Sequence, residues 1–314
     1  MTEPSARPGR LGVGIVGVGR VGAALGSALR AVGHPVIACS AISQESRDRA
    51  EVMLPGVPVL EVPEVVRRAE LVLLTVPDDE LEPLVAGLAE LGAWQLGQLV
   101  VHTAGRYGVE VLAPAREAGA ICLAIHPAMT FTGTSLDLVH LEGTTFAVTA
   151  PAPFLPIGQA LVVELGGEPL VLAEEQRGLY HAALAHGANH LVVLVAQAAQ
   201  ALAAAGVPDP GRTLRPLLDA ALDGALRAQS PPGAGERAGP GAILALTGPV
   251  RRGDPDAVAR HLAELSAWAT TSGAMDVTVA YRDLARAATV RALAAGLLDD
   301  AAAQRLLDTL MEGL

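Results

Sequence analysis

The sequence predicts an α/β domain built on a doubly wound parallel sheet, followed by an all-α domain. Its 314 residues allow two domains of roughly 150 residues each. Short apolar runs alternate with segments of helical period over the first half, whereas the second half has helical periodicity throughout. We therefore place the two domains at residues 1–172 and 173–314.

Six segments of the first domain have the composition of β-strands. Most of them lack polar alternation, as expected for strands that helices cover on both faces. Helical segments separate them, which predicts βαβ units around a parallel sheet. The strand segments are Leu11–Val16, Pro35–Ser40, Glu70–Val76, Gln98–Val101, Ala120–Ile125 and Thr144–Thr149.

In the second domain, alanine, leucine and glutamine recur at helical spacing. The first such run starts at Glu174, and its most apolar part, Leu191–Gly206, falls short of a lipid span of about 18 residues. We interpret this part as a buried core helix and expect no membrane contact. The Pro/Gly-rich stretch Ser230–Gly241 cannot continue a helix and predicts a surface loop.

The composition excludes several classes of protein. Hydrophobic residues make up 51% of the chain and charged residues 18%, the opposite of a disordered protein. Cys39 and Cys122 form no CxxC pair, so we expect neither a disulfide framework nor a zinc ribbon. A net charge of −11 has the wrong sign for binding nucleic acid. Residues 1–10 lack the apolar stretch of a secretory signal, and we expect a cytoplasmic protein.

One motif joins the first strand to the first helix. It reads GxGxxG, the pattern of a dinucleotide-binding turn in a Rossmann-like domain, and consists of Gly17, Val18, Gly19, Arg20, Val21 and Gly22. Gly17 permits the tight turn, Gly19 leaves room for a diphosphate, and Gly22 lets the helix pack closely on the strand. The alternative is a glycine-rich turn that has lost its ligand. The end of the third strand completes the predicted cofactor site with Thr75, Val76 and Pro77.

The end of the second strand favours NADP over NAD. An NAD site usually places an acid there, about 20 residues after the motif, whereas this strand ends in Ser40 and Glu45 is the first acid to follow. Ser40 with Arg47 and Arg49 would suit a 2′-phosphate, because a guanidinium can hold that group through paired hydrogen bonds. The alternative for the two arginines is a solvated helix face.

Three further stretches, with the glycine motif, cover nearly the whole chain. They are His102-Thr103-Ala104-Gly105 leading to His126-Pro127 and Thr130-Phe131; Tyr180-His181-Ala182-Ala183 leading to Asn189-His190-Leu191; and Leu246–Asp254 leading to His261-Leu262. Together they resemble a bacterial family that joins a Rossmann-like domain to a helical domain of unknown function. That family is similar to ketopantoate reductase, pyrroline-5-carboxylate reductase, prephenate dehydrogenase and the 3-hydroxyisobutyrate and 6-phosphogluconate dehydrogenases. The resemblance implies NADP-linked hydride transfer.

Asn189 and His126 are the candidate catalytic residues. Asn189 matches the family pattern, and we expect a buried carboxamide that orients the substrate, or one bonded to a neighbouring helix. His126 follows a strand and could donate a proton near neutral pH, or bond a backbone carbonyl. The hydroxyacid dehydrogenases of this clan carry a lysine four residues before the asparagine, where Ala185 stands here. The sequence contains no lysine, so another residue must supply the proton.

Substrate contacts are assigned to Thr130 and Arg252 in addition to His126 and Asn189. Arg251 and Arg252 precede Asp254, a predicted helix N-cap, and either clamp a substrate carboxylate or lie in solvent. A second departure from the family pattern is Ala104, where we expect serine. His186 and His190 are one helical turn apart, but no third ligand follows at a metal-binding spacing, so we expect no metal.

The sequence therefore predicts an NADP-dependent oxidoreductase that transfers a hydride to a small oxo acid, with ketopantoate as the preferred substrate. The alternatives are an imine reductase of the pyrroline-carboxylate type and a non-catalytic dinucleotide-sensing protein. We also expect a homodimer formed through the helical domain. The run Glu174–Gly206 is apolar over more than the stripe that one domain can cover.

Overall fold

The structure, a computed structural model, describes residues 10–229 and 241–311. The chain divides into two compact units, Met1–Ala188 and Asn189–Leu314. The division falls inside a long helix and not at the predicted boundary after residue 172. The predicted loop Ser230–Gly241 lies outside the described residues, except for Gly241.

The described strands of the first unit form one sheet. They are β1 (Val13–Val16), β2 (Val36–Ser40), β3 (Leu71–Leu74), β4 (Leu99–His102), β5 (Ile121–Pro127), β6 (Thr145–Thr149) and β7 (Glu168–Val171). The order is β2-β1-β3-β4-β5-β6-β7. Strands β1 to β5 are parallel, β6 runs antiparallel to β5, and β7 runs parallel to β6. The six predicted strands are confirmed, whereas the short edge strand β7 was not predicted.

Helices cover both faces of this sheet. They are α1 (Arg20–Ala31), α2 (Gln44–Met53), α3 (Val62–Arg68), α4 (Asp78–Glu90), α5 (Ala113–Glu117), α6 (Leu136–His140) and α7 (Leu155–Glu164). Alternate residues of β3 belong to different cores: Leu71 and Leu73 pack in the cluster that contains α1 and α7, and Val72 packs with α3 and α4. The predicted doubly wound α/β architecture is confirmed.

The direction of winding reverses at β1, which lies between β2 and β3. Val16 at the end of β1 pairs with Leu74 at the end of β3, so the chain segments that follow these two strands emerge side by side. Open α/β sheets bind ligands outside the carboxyl ends of their strands at such a switch point. The glycine motif, which follows β1 directly, therefore stands at the expected ligand-binding edge.

The second unit is helical in its described part, as predicted. A long helix, α8 (Arg177–Ala204), leads into it and is followed by α9 (Pro210–Ala228), α10 (Gly248–Arg252), α11 (Pro255–Ser272), α12 (Met275–Ala294) and α13 (Asp300–Met311). Asp254 caps α11 by accepting a hydrogen bond from the Ala257 amide, which confirms the predicted N-cap. Val258, Leu262 and Leu306 form the centre of its core.

Helix α8 corrects one expectation. The apolar run Leu191–Gly206 was predicted to be a buried core helix, but Val192 is 69% exposed and Val193 51% exposed in the single chain. Periodicity did not show this, because a helix that is apolar all round gives no sign of which face is covered. By length and composition alone, Glu174–Ala204 is also the one described stretch that could cross a membrane.

Candidate functional site

The turn after β1 has the geometry that its glycines predict. Gly17 has φ of +92°, a left-handed backbone conformation that residues other than glycine rarely adopt. Its amide donates a hydrogen bond to the Ser40 hydroxyl over 3.1 Å, and its carbonyl accepts one from the Thr75 hydroxyl over 2.5 Å. The ends of β1, β2 and β3 are thus bonded to one another around this turn.

The other two glycines of the motif differ in what surrounds them. A Cβ atom on Gly22 would collide with the Gly17 carbonyl oxygen and the Thr75 hydroxyl, so α1 could not pack this closely on the turn with any larger residue. A Cβ atom on Gly19 would meet nothing within 4 Å. Gly19 also precedes α1 without a side-chain cap, so the first amides of that helix keep their hydrogens for another acceptor.

A cavity of about 500 Å³ lies beside this turn and brings most of the predicted cofactor residues together. Its lining includes Gly17, Val18, Gly19, Ser40, Thr75, Val76 and Pro77. Arg20, Val21 and Arg47 are not among the lining residues, and the Val21 side chain packs against the core. An open space at Gly19, an uncapped helix N-terminus and a cavity at the switch point fit the diphosphate of a dinucleotide.

The charged residues after β2 differ in their hydrogen-bond partners. Arg49 donates hydrogen bonds to the Glu45 carboxylate over 2.5 Å and to the Val18 carbonyl over 3.3 Å. Among the residues that the structure describes, the exposed Arg47 donates only through Nε, to the Ala41 carbonyl over 3.3 Å. The first acid after the strand is therefore paired with a cation, and Arg47 keeps its two terminal nitrogens for another partner.

Two histidines lie where β4 and β5 end. His102 is fully buried: its Nδ1 accepts a hydrogen bond from the Ala104 amide over 3.2 Å, and its Nε2 donates to the Gly108 carbonyl over 2.7 Å. Burial is the main reason that its pKa is lowered to about 4. His102 thus fixes the loop after β4 as a neutral ring.

His126 is also neutral at physiological pH, which corrects the sequence-based expectation of a near-neutral acid. Burial, followed by the positive charge of Arg177 and the proximity of His181, lowers the pKa of His126 to about 4. The sequence could not show this, because the residues responsible come from the start of α8. The loop after β4 passes close to both rings: a Cβ atom on Gly105 would lie 3.0 Å from His126 Nε2 and 3.0 Å from His181 Cδ2.

Tyr180 is the residue that sequence reasoning missed. Its hydroxyl oxygen lies 3.0 Å from His126 Nδ1, and the two rings meet edge to face at 5.6 Å between centroids. Burial raises the pKa of Tyr180, and the charge of Arg177 opposes that rise. The signal was available only as the Tyr180-His181 pair in a stretch that carried the resemblance. Tyr180 therefore presents a protonated hydroxyl where we expected a histidine to act.

The other predicted substrate contacts, Thr130, Asn189 and Arg252, are exposed. Asn189 was expected to be buried but is exposed, because α8 leaves this part of its surface uncovered in the single chain. Thr130 is exposed in the loop after β5. In the second unit Arg251 donates to the Leu297 carbonyl over 3.0 Å, which leaves the exposed Arg252 as the clamp candidate.

The structure adds nothing in favour of a metal. Within residues 10–229 and 241–311, no three His, Cys, Asp or Glu side chains are grouped so that they could hold an ion. His186 and His190 are both exposed on α8.

The second unit contains a cavity of its own, of about 430 Å³. Helices α8, α11 and α12 line it mainly with apolar side chains. Its polar lining residues are Gln197, Thr247, His261 and Tyr281, and Nδ1 of His261 lies 2.8 Å from the Tyr281 hydroxyl oxygen.

Comparison with known families also finds two domains, but the second match begins within the first structural unit. Residues 1–127 match the sequence model of a Rossmann-like domain, and residues 144–288 match a domain of unknown function, DUF2520. The predicted resemblance to a Rossmann-like domain joined to a helical domain of unknown function is therefore confirmed. No curated protein matches the sequence.

Solved structures share the fold over most of the chain. A Bacteroides fragilis protein that has been proposed to be an NADP oxidoreductase has a TM-score of 0.69 at 20% identity, covering 89% of this chain and 98% of its own. An imine reductase from Myxococcus stipitatus in complex with NADP+ gives 0.60 at 18%, covering 94% and 99%. Pyrroline-5-carboxylate reductase from Streptococcus pyogenes gives 0.56 at 22%, covering 88% and 98%. At these identities the likeness establishes the fold.

Proposed function

We propose that this chain, a Rossmann-like domain joined to a DUF2520 domain, is an NADP(H)-dependent reductase of a C=O or C=N bond in a small carboxylate. The observation that carries the proposal is the hydrogen bond between Tyr180 and His126, which lies at the end of β5. The same sheet carries the glycine turn at its switch point. Neighbouring strands are about 4.8 Å apart. A dinucleotide with its diphosphate at Gly19 is long enough to reach from β1 towards β5.

The cofactor site would hold the dinucleotide through backbone groups of the glycine turn and the first turn of α1. When bound, the reduced nicotinamide supplies a hydride. Selection of NADP(H) is supported by Ser40 at the end of β2, by the exposed Arg47, and by the pairing of Glu45 with Arg49. An unpaired acid at this position would repel a 2′-phosphate, whereas Arg47 can bind one.

Tyr180 would supply the proton. A neutral imidazole carries one N–H, and when that proton is on Nδ1, His126 donates it to the Tyr180 oxygen. The hydroxyl hydrogen of Tyr180 is then directed to the substrate. Tyr180 thus replaces His126 as the proposed acid, and His126 orients it.

The substrate is proposed only as a class. Ketopantoate was preferred from the sequence, but no described residue of the site selects it over other small carboxylates. Imine reductases and a pyrroline-5-carboxylate reductase share the fold, which supports testing a C=N bond first. Thr130, Asn189 and Arg252 stay in the proposal as substrate contacts, with Arg252 as the partner of the carboxylate.

The test is a substrate screen with the purified chain. NADPH and NADH are mixed in turn with cyclic imino acids, branched oxo acids and ketopantoate, and the nicotinamide absorbance is followed. We expect NADPH-dependent reduction of at least one carboxylate-bearing substrate. Tight NADPH binding without turnover of any compound would contradict the proposal and favour the dinucleotide-sensing alternative.

A further inference from the structure

Arg177 is a buried cation held by backbone carbonyls. It is the first residue of α8 and has no exposed surface. Its Nε donates to the Thr149 hydroxyl over 2.8 Å. Its terminal nitrogens donate to the carbonyls of Ala124 over 2.8 Å, Ala147 over 2.9 Å and Ala104 over 3.3 Å. One guanidinium thus bonds to β5, β6 and the loop after β4.

The charge of Arg177 lacks a counterion in contact. Within the described part of the chain, no carboxylate forms an ion pair with it. Burial lowers its pKa to about 10, so it stays protonated at neutral pH. Burying an unpaired charge opposes folding, and a well-packed apolar residue would meet no such penalty. The retained charge therefore calls for an explanation beyond packing.

The fold places that charge close to the hydroxyl that we propose as the acid. Tyr180 follows Arg177 by three residues, so both side chains lie on the same face of the first turn of α8. The titratable and charged groups around Arg177 and Tyr180 are His102 on β4, His126 on β5, Glu174 just before α8, and His181 in its first turn. The Glu174 carboxylate accepts hydrogen bonds from the amides of Val109 and Glu110, which spreads its charge into the loop.

We propose that Arg177 is a positioning residue for the reduction, one that fixes the first turn of α8 on the sheet and supplies the positive charge that stabilises the Tyr180 phenolate. This inference rests on the proposed function.

In the proposed reduction, a hydride adds to the carbon of C=O or C=N, and the π electron pair moves to oxygen or nitrogen. The Tyr180 O–H bond breaks, its proton goes to that atom, and an alcohol or amine forms. The nicotinamide loses the two electrons that the substrate gains, and the phenolate takes a proton back from solvent.

Two substitutions separate the charge of Arg177 from its hydrogen bonds. Arg177→Gln keeps two N–H donors for the carbonyls but has no charge, and Arg177→Lys keeps the charge but loses the planar fork. Arg116→Gln is the matched control, because Arg116 lies in the same unit and pairs with Glu110 at the surface. Circular dichroism and thermal unfolding confirm that each variant is folded before it is used.

The first measurement is an ultraviolet titration of the tyrosines, which does not depend on turnover. The chain has three tyrosines, and Tyr180→Phe identifies the signal of Tyr180. We expect Tyr180 to ionise at higher pH in Arg177→Gln than in the wild type, and near the wild-type pH in Arg177→Lys and Arg116→Gln. An unchanged Tyr180 titration in folded Arg177→Gln would overturn the inference. If Arg177→Gln does not fold, the Arg177→Lys titration decides: Tyr180 should ionise near the wild-type pH, and a shift to higher pH although the positive charge is kept would overturn the inference.

The second measurement is the pH profile of kcat on the substrate found by the screen. We expect Arg177→Gln to lower kcat by about 100-fold, the effect of removing one group that stabilises a developing anion, and to move the alkaline limb to higher pH. Arg177→Lys should keep the limb in place. A loss of kcat with the limb unmoved in Arg177→Gln would indicate a merely structural role. A wild type without turnover would remove the proposed function and the catalytic part of this inference, whereas the titration still decides whether Arg177 acts on Tyr180.

Discussion

Nδ1 of His126 lies 3.0 Å from the hydroxyl oxygen of Tyr180, although 54 residues separate them in sequence. Strand β5 brings one residue to the edge of the sheet, and the first turn of α8 brings the other. Because Arg177 bonds that turn to β5 and β6, the pair is held by the sheet and not by local sequence. Each ring is only partly exposed, and the pKa of each is shifted in the direction that keeps it uncharged.

The glycine turn provides the first prediction. NADPH should raise the melting temperature of the wild type more than NADH does at equal concentration, because a ligand that binds only the folded state stabilises it according to its occupancy. Gly19→Val should abolish both shifts, since its side chain would project into the cavity that lies beside α1. Thermal unfolding with and without each nucleotide provides the measurement.

Gly87→Val is the control for this experiment. A Cβ atom on Gly87 also meets nothing within 4 Å, but Gly87 lies in α4 and does not line the cavity. This variant should keep the full NADPH shift. Undiminished NADPH binding by Gly19→Val would show that the cofactor lies elsewhere.

Arg47 provides the second prediction. Replacing it with leucine should weaken NADPH binding by about 10-fold or more, because a charge-assisted hydrogen bond contributes about 1.5–3 kcal/mol, and should leave NADH affinity unchanged. Fluorescence titration of the bound nicotinamide measures both affinities. Arg68→Leu is the control, since Arg68 lies on α3, where it pairs with Glu64. Equal losses for the two nucleotides in Arg47→Leu would remove the argument that this residue reads the 2′-phosphate.

The glycine turn could be predicted because its requirements are local. A positive φ, a close approach and an open space each concern one residue and its nearest neighbours in a strand-turn-helix unit. The same holds for the Asp254 cap. The predicted strand ends lie within two residues of the observed ones for a similar reason, since a buried strand covered on both faces is apolar along its length.

The proton-transfer pair could not be predicted in the same way. The environment of His126 is set by Arg177, Tyr180 and His181, which join it only through tertiary structure. The expected burial of Asn189 was wrong because apolar neighbours along a helix do not show which side of it is covered. Strand β7 was missed because it is an edge strand of four residues that contains Pro169, and proline is depleted in strands.

The buried His102 provides the third prediction, which concerns stability. Its pKa is about 4 in the folded protein and near 6.5 in the unfolded chain, so between these values the unfolded state binds more protons. The free energy of unfolding should therefore fall as the pH is lowered from about 6.5 to about 4, by at most about 3 kcal/mol from this residue. His126 acts in the same direction. The pKa values of the carboxylates of Asp137 and Glu164 are lowered, and these groups act at more acidic pH.

Chemical denaturation at a series of pH values tests this prediction. His102→Gln can still bond the surrounding loop but does not titrate, so its stability should depend less on pH over that interval. His140→Gln is the control, because His140 is exposed at the end of α6. A wild-type curve that is flat between about pH 6.5 and pH 4 would contradict the neutral, buried state of His102.

The exposed apolar surface of α8 supports the fourth prediction. We propose that the chain is a homodimer through its helical part, with a mass of about 64 kDa by light scattering, twice the 32.0 kDa of one chain. Val192 and Val193 are more than half exposed, as is Leu217 on α9. Val193→Glu should produce monomers, because a dimer interface would bury the new charge. Val52→Glu, at a valine on α2 that is 77% exposed, should leave the mass unchanged. A monomeric wild type at micromolar concentration would refute the proposal.

The last prediction separates Tyr180 from His126 in the proposed reduction. A tyrosine must be protonated to act as an acid, and burial raises the pKa of Tyr180 above its ordinary value of 10.0. Reduction should therefore be insensitive to pH through neutrality and fall only in the alkaline range. A histidine acid would instead make the rate fall near pH 6.5, but His126 is already neutral there because its pKa is about 4.

Tyr180→Phe should lower kcat by about 100-fold or more, within the range for loss of a general acid, and should remove the alkaline limb. His126→Gln can still donate a hydrogen bond to the Tyr180 oxygen, so it should reduce kcat less and keep the limb. Initial rates across the pH range measure both effects. A limb near pH 6.5 that disappears in His126→Gln would reverse the assignment, because the proton would then come from His126.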